Sequence, residues 1–149
     1  MGSSRNRVAG HNWERVCAQK WRSMGYLGGL TSRECSRLRD SQKVDLSNAD
    51  EDVDGRLPYN IQCKTLSSSA PYSKLLRELE ENNKGPQINV VVHKMTKKSG
   101  VKFMTVGEYA ILNLTDFYRM AEKILHYETA LTESGASNDF MNDTINKKL

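Results

Sequence analysis

The residues best suited to chemistry lie in the run Ile61-Gln62-Cys63-Lys64 and in the earlier segment Lys43-Val44-Asp45-Leu46-Ser47. Residues 59–65 alternate, with Tyr59, Ile61 and Cys63 expected inward and Asn60, Gln62 and Lys64 outward, which is the pattern of a strand. Period two sets Gln62 and Lys64 ~6.6 Å apart along one face, so both can serve a single site. The earlier segment also reads as a strand, with Val44 and Leu46 on one face and Asp45 on the other. Asp45 offers a carboxylate and Gln62 an amide oxygen, the donors that a hard divalent cation takes. A lysine ammonium two residues further on orients an attacking water and stabilises developing negative charge. Such a set suits hydrolysis of a phosphodiester, where a bound ion neutralises the phosphate and yields hydroxide near neutral pH.

The surrounding sequence supplies elements to hold these groups. Trp13, Val16, Cys17, Trp21 and Met24 recur at steps of three and four, predicting an amphipathic helix over 12–25 that carries Glu14, with Asn12 as cap and Gly25 as stop. Residues 30–36 read as a weak strand. Pro71 followed by Tyr72, Leu75, Leu76 and Leu79 predicts a second helix, closed by the segment 82–86. Residues 88–92 are a nearly continuous β-branched run, expected as a central strand covered on both faces. A turn at 97–100, a strand at 101–106 with 109–112 beside it, and a helix striped by Phe117, Met120, Ala121, Ile124 and Leu125 complete the chain. Trp13 and Trp21 are expected in the core. His11 and His93 are expected as surface or strand residues, because neither has a second histidine at ligand spacing.

Size and composition fit one catalytic domain: 149 residues, 38% hydrophobic and 27% charged. No apolar run reaches the ~20 residues of a membrane span, and the first residues lack a secretory apolar stretch, so an intracellular protein is expected. Three widely spaced cysteines, Cys17, Cys35 and Cys63, suggest neither a disulfide framework nor a zinc site. The net charge is +4 and is concentrated early, with nine basic residues against three acidic ones over residues 1–44. A polyanion is therefore expected at this part, through Arg5, Arg7, Arg15, Arg33, Arg37 and Arg39. Acidic residues gather at 50–54 and 78–81, expected as a solvated loop and a solvated helix face.

Taken together, Gly10-His11-Asn12-Trp13-Glu14-Arg15, the Gly25-Tyr26 pair, Thr31-Ser32-Arg33, Lys43-Val44-Asp45-Leu46 and Ile61-Gln62-Cys63-Lys64 resemble the PD-(D/E)XK nucleases. Within them the likeness is greatest to the Holliday junction resolvases of archaea and their bacteriophage relatives. The resemblance implies an α/β fold with a restriction-endonuclease-like core, a mixed central sheet flanked by helices in the order αβββαβ. The nuclease domain would span residues 1–132, and 133–149 would be a polar tail. It further implies a homodimer that makes paired cuts in four-way DNA junctions during recombination and repair, using Mg²⁺, with Mn²⁺ able to substitute. Glu14, Asp45, Gln62 and Lys64 would be the catalytic residues. Glu14, Asp45, Gln62 and the main-chain carbonyl of Cys63 would be the metal ligands.

One position departs from the family, which has an acidic residue where Gln62 stands. The amide keeps an oxygen donor but removes a negative charge, which predicts weaker Mg²⁺ binding. Glu34 is a further carboxylate that could restore it. Two alternatives stand beside the resolvase expectation: a duplex- or end-acting nuclease of the same fold, and a non-catalytic DNA-binding protein with a decayed site. Retention of Glu14, Asp45 and Lys64 speaks against decay.

Overall fold

The computed structural model describes residues 4–35, 42–48 and 57–134. Arg37, Arg39, the acidic loop at 50–54 and the tail beyond 134 lie outside the described residues, as does the side chain of Arg5. The elements are α1 Ser4–Ser23, β1 Gly29–Thr31, α2 Ser32–Cys35, β2 Leu46–Asn48, β3 Tyr59–Leu66, α3 Tyr72–Asn82, β4 Ile88–Ser99, β5 Lys102–Ile111 and α4 Leu114–Glu133. They fall into two compact units, residues 1–113 and 114–149. The protein is thus mixed α/β. The described order adds a short helix after β1 to the expected αβββαβ, the strand and helix expected after it are present as β5 and α4, and α4 carries helix to Glu133, where the polar tail was expected to begin.

In the first unit the strands form one sheet in the order β1-β2-β3-β4-β5. Only β3 and β4 are parallel, paired from Tyr59–Ile88 to Leu66–Met95, with α3 as the crossover between them. The remaining pairs are antiparallel. β4 and β5 form a long hairpin turning at Gly100-Val101, where Gly100 has φ +61°, the conformation a two-residue turn demands of its first residue. Lys97 and Lys98, expected in the turn, therefore lie within β4. A register shift at Met95/Thr96 adds one residue to β5, and that strand is continuous across the break expected between 106 and 109.

Helix α1 begins eight residues before the expected start, so Asn12 is interior and Arg5 and Arg7 are helical. The apolar stripe marks only the turns that pack: Trp13, Cys17 and Ala18 are buried, whereas Val16 and Met24 are about half exposed. Its stop is as expected. Gly25, at φ +102°, lets its N–H donate to the Arg22 carbonyl (3.0 Å) and the Tyr26 N–H to the Trp21 carbonyl (3.1 Å). This is the paired closure of a Schellman motif. The rings of Trp21 and Tyr26, 5.3 Å apart, make the apolar contact that accompanies it. The expected strand at 30–36 is only Gly29–Thr31, because Glu34 accepts from both the backbone N–H and the hydroxyl of Thr31 (2.8 Å each) and starts a helical turn there.

Both faces of β3 are covered. Tyr59 meets Trp21 of α1 with ring centres 5.1 Å apart. On the opposite face Leu75, Leu76 and Leu79 of α3 pack with Val44, Ala70 and Val91. Asn60 and Gln62, expected outward, are accordingly buried, and Asn60 donates across the strands to Asn89 (3.0 Å). No described helix is long and apolar enough to cross a membrane. The second unit is described by α4 alone, in which Arg119 pairs with Asp116 at 2.8 Å.

Leu79 is fully enclosed in this second cluster. Leu79→Ala should lower the stability of the fold by about 2–5 kcal/mol, the cost of a lost side chain and its cavity. Urea denaturation checks this, and a midpoint equal to the wild type's would mean that the α3 packing is not as described.

Candidate functional site

The site is built around a bend at Asp45. Lys43, just before it, has φ +64°, and pairing of β2 with β3 is confined to Leu46 opposite Ile61. Ile61 shares its face with Tyr59, so Leu46 lies on the α1 side, whereas Val44 packs in the α3 cluster. Val44 and Leu46, expected on one face, are therefore on opposite faces, with the bend between them. At that bend the Asp45 N–H donates to the Ile61 carbonyl (2.8 Å), and its carbonyl accepts from Ser32 N–H (2.8 Å). The Asp45 carboxylate accepts the backbone N–H of Cys63 at 2.7 Å. A bond of that length from an amide to a charged oxygen is among the stronger kinds of hydrogen bond.

One group on α1 bonds the same strand residue, and another acts on it through charge. The Cys63 thiol is pushed well above the ordinary cysteine range, first by its hydrogen bond with the Cys17 thiol, then by burial, and further by the negative charges of Asp45 and Glu14. Asp45 and Glu14 are thus both near Cys63. Cys17 and Cys63 are free, buried thiols, as expected, and the side chain of Cys35 lies outside the described residues. Glu14 also has His11 Nδ1 at 3.5 Å.

Period two turns Gln62 and Lys64 to the other side of β3, opposite Val91 and His93 of β4. Gln62 is buried, and its Oε1 has no hydrogen-bond partner among the described residues. An acceptor left so in a protein interior costs about 1–3 kcal/mol unless something unseen answers it, such as an ion. Among the described residues no three His, Cys, Asp or Glu side chains gather as metal ligands. The donors present are instead the Asp45 and Glu14 carboxylates, within electrostatic reach of Cys63, and the orphaned Gln62 oxygen on the other face of β3, oxygens of the kind that a hard ion prefers and a soft one does not.

Sequence reasoning missed the group beside Lys64. His93 is completely buried on β4, with its Nδ1 2.6 Å from the Tyr72 hydroxyl, and its Nε2 has no partner among the described residues. The Pro71-Tyr72 helix start and the β-branched run gave no sign that these two residues would meet. Glu34, by contrast, is taken up by Thr31 at the start of α2. Its carboxyl lies below the ordinary glutamate range, chiefly through the Thr31 N–H, then through the Thr31 hydroxyl, with the charges of Arg22 and Arg15 adding and burial opposing.

Of the six arginines expected at a polyanion, Arg7, Arg15 and Arg33 are exposed. Arg15 and Arg22, seven residues apart, lie on one face of α1, and the Arg22 guanidinium donates to the Gly29 carbonyl (2.9 Å).

No protein-family model, no curated protein and no solved structure matches this chain.

A glutamate with a depressed pKa adds stability above its unfolded value, and that contribution fades as the pH falls through the folded one. Glu34→Gln should therefore be less stable than the wild type at neutral pH by a few tenths to about 1 kcal/mol, since the carboxylate is largely exposed. Thermal unfolding should show the gap closing as the pH falls below the ordinary glutamate range and through the lowered folded-state pKa. A gap of the same size there would show that the carboxylate bond is not its source.

Proposed function

We propose that the protein is a metal-dependent DNA endonuclease acting on branched DNA, with a restriction-endonuclease-like core. The observation that carries this reading is the Asp45 carboxylate bonded at 2.7 Å to the backbone of Cys63, the residue between Gln62 and Lys64. In a strand the N–H and C=O of one residue project to the same side, so the Cys63 carbonyl points where its N–H does, past the end of the β2 pairing. The orphaned Gln62 oxygen and the closeness of Glu14 and Asp45 to Cys63 support the same reading.

Asp45, Glu14, Gln62 and the Cys63 carbonyl would hold the ion, Mg²⁺ with Mn²⁺ as substitute. Once bound, that ion supplies Lewis acidity at the phosphate and a hydroxide near neutral pH. The remaining work belongs to the chain. Lys64 orients the attacking water and meets the negative charge that develops on the phosphate, in a strand stiffened by packing on both faces. The N–H of Cys63 fixes the direction of the Asp45 carboxylate, so that oxygen needs no reorganisation during the reaction. Arg7, Arg15 and Arg33 contact phosphates and set affinity without reading bases. Two copies related by a two-fold axis would present two such sites to opposed strands of a four-way junction. β5, at the edge of the sheet, carries exposed Met104, Val106 and Tyr109 and is the surface we assign to that pairing.

Asp45→Asn and Lys64→Ala should each reduce cleavage of an end-labelled four-way junction by at least about 100-fold while changing its binding by less than about threefold, because affinity rests on the arginines. Gel assays with and without Mg²⁺, run beside linear duplex of equal length, measure both quantities. Normal cutting by either variant removes the site assignment, and equal cutting of duplex and junction replaces the branched substrate with duplex.

A further inference from the structure

A groove of about 550 Å³ opens between α1 and the hairpin half of the sheet, with Asn12, Trp13 and Val16 on the helix side and Thr65, Lys94 and Phe103 on the strands. It lies wholly within the first unit. Three properties of its wall describe what it would hold. Phe103 is 64% exposed, which is costly for an aromatic ring with no partner and leaves its face free for stacking. The Lys94 ammonium is held 5.0 Å from the centre of the Trp13 ring, and none of the groove's lining residues is acidic, so the wall is positive. Trp13 is only 6% exposed, and its indole N–H has no partner among the described residues, nor has the buried Thr65 hydroxyl. An indole N–H can only donate, so the group it lacks is an acceptor.

A free aromatic face, a fixed ammonium and unanswered donors together call for a flat, acceptor-rich, anionic ligand. We propose that this groove takes one unpaired nucleotide of a DNA strand, its base stacked on Phe103 and its phosphate at Lys94. The size agrees, since ligand pockets run from about 300 to 1,000 Å³. A paired base cannot enter without leaving its stack, so the groove selects strands that are already open, as at the centre of a branched junction. Thr65 lies two residues beyond Cys63 on the same face of β3, so the groove adjoins the residue whose backbone Asp45 bonds. That the polymer is DNA rests on the nuclease reading, whereas the groove and its base-stacking chemistry do not.

The test is a titration of the full-length protein with a short oligothymidylate in EDTA, followed by tryptophan fluorescence, with circular dichroism to verify folding. The wild type should bind with a change in fluorescence, and Phe103→Ala should weaken binding about tenfold, within the range found for losing one base stack. Lys94→Gln should weaken it and flatten its salt dependence by about one phosphate contact. Because Phe103 is exposed, its replacement opens no core. Wild-type affinity in both variants overturns the proposal, as does a duplex that competes as well as the single strand. An oligouridylate bound as tightly as the thymidylate overturns the assignment to DNA. Binding lost in Phe103→Ala by a protein that cuts no DNA keeps the groove and removes the nuclease reading. Cleavage retained with binding unchanged in both variants does the reverse.

Discussion

An amide N–H at the point where two strands stop pairing needs an acceptor, and here the Asp45 carboxylate supplies it across 2.7 Å to Cys63. Much of the first unit follows from that bond. The chain bends at Asp45, with Lys43 in a left-handed conformation just before it, so Val44 packs under α3 and Leu46 lies on the face that α1 covers. The bend is thus clamped from both layers, and the carboxylate at its apex is held against β3. Replacing it by an apolar side chain would leave a strand N–H unanswered, at a cost of about 1–3 kcal/mol. The same carboxylate and that of Glu14 disfavour a thiolate at Cys63, which keeps negative charge on oxygen and away from sulfur.

β3 combines rigidity with polarity. Its α1 face carries Tyr59, Ile61 and Cys63, and its α3 face carries Asn60, Gln62 and Lys64. Asn60 satisfies its burial by bonding Asn89, whereas Gln62 does not, and His93 satisfies one ring nitrogen through Tyr72 and leaves the other unanswered. Unpaired polar atoms concentrated along one strand and its neighbour are what an interior keeps where a ligand or an ion completes the bonding. The groove on the α1 side repeats this pattern with Trp13 and Thr65.

Much of this was legible in the sequence, and the rest has identifiable physical reasons for being hidden. Period two along 59–65 located β3, and the leucine stripe after Pro71 located α3, because each pattern is the direct imprint of burial. Gly25 marked the end of α1 because a left-handed residue is needed there. The start of α1 was missed because its first turns are helical without an apolar stripe, and periodicity reports only the part that packs. Asn60 and Gln62 read as outward because polar side chains imply solvent, yet α3 returns over that face through a contact distant in sequence. The bend at Asp45 was invisible for a related reason: Val44 and Leu46 look alike in an alternating pattern whether or not the chain turns between them. The Tyr72–His93 bond joins residues 21 apart on different elements and leaves no local trace.

Whether Asp45, Glu14 and Gln62 share one cation is reached by a binding measurement that requires no substrate. Titrating the protein with Mn²⁺ while following the paramagnetic signal of the free ion should reveal a site that Asp45→Asn weakens by at least about tenfold, because a carboxylate ligand has lost its charge. Gln62→Glu should tighten the same site by restoring a negative charge to it. Mn²⁺ affinity unchanged in both variants would contradict the account.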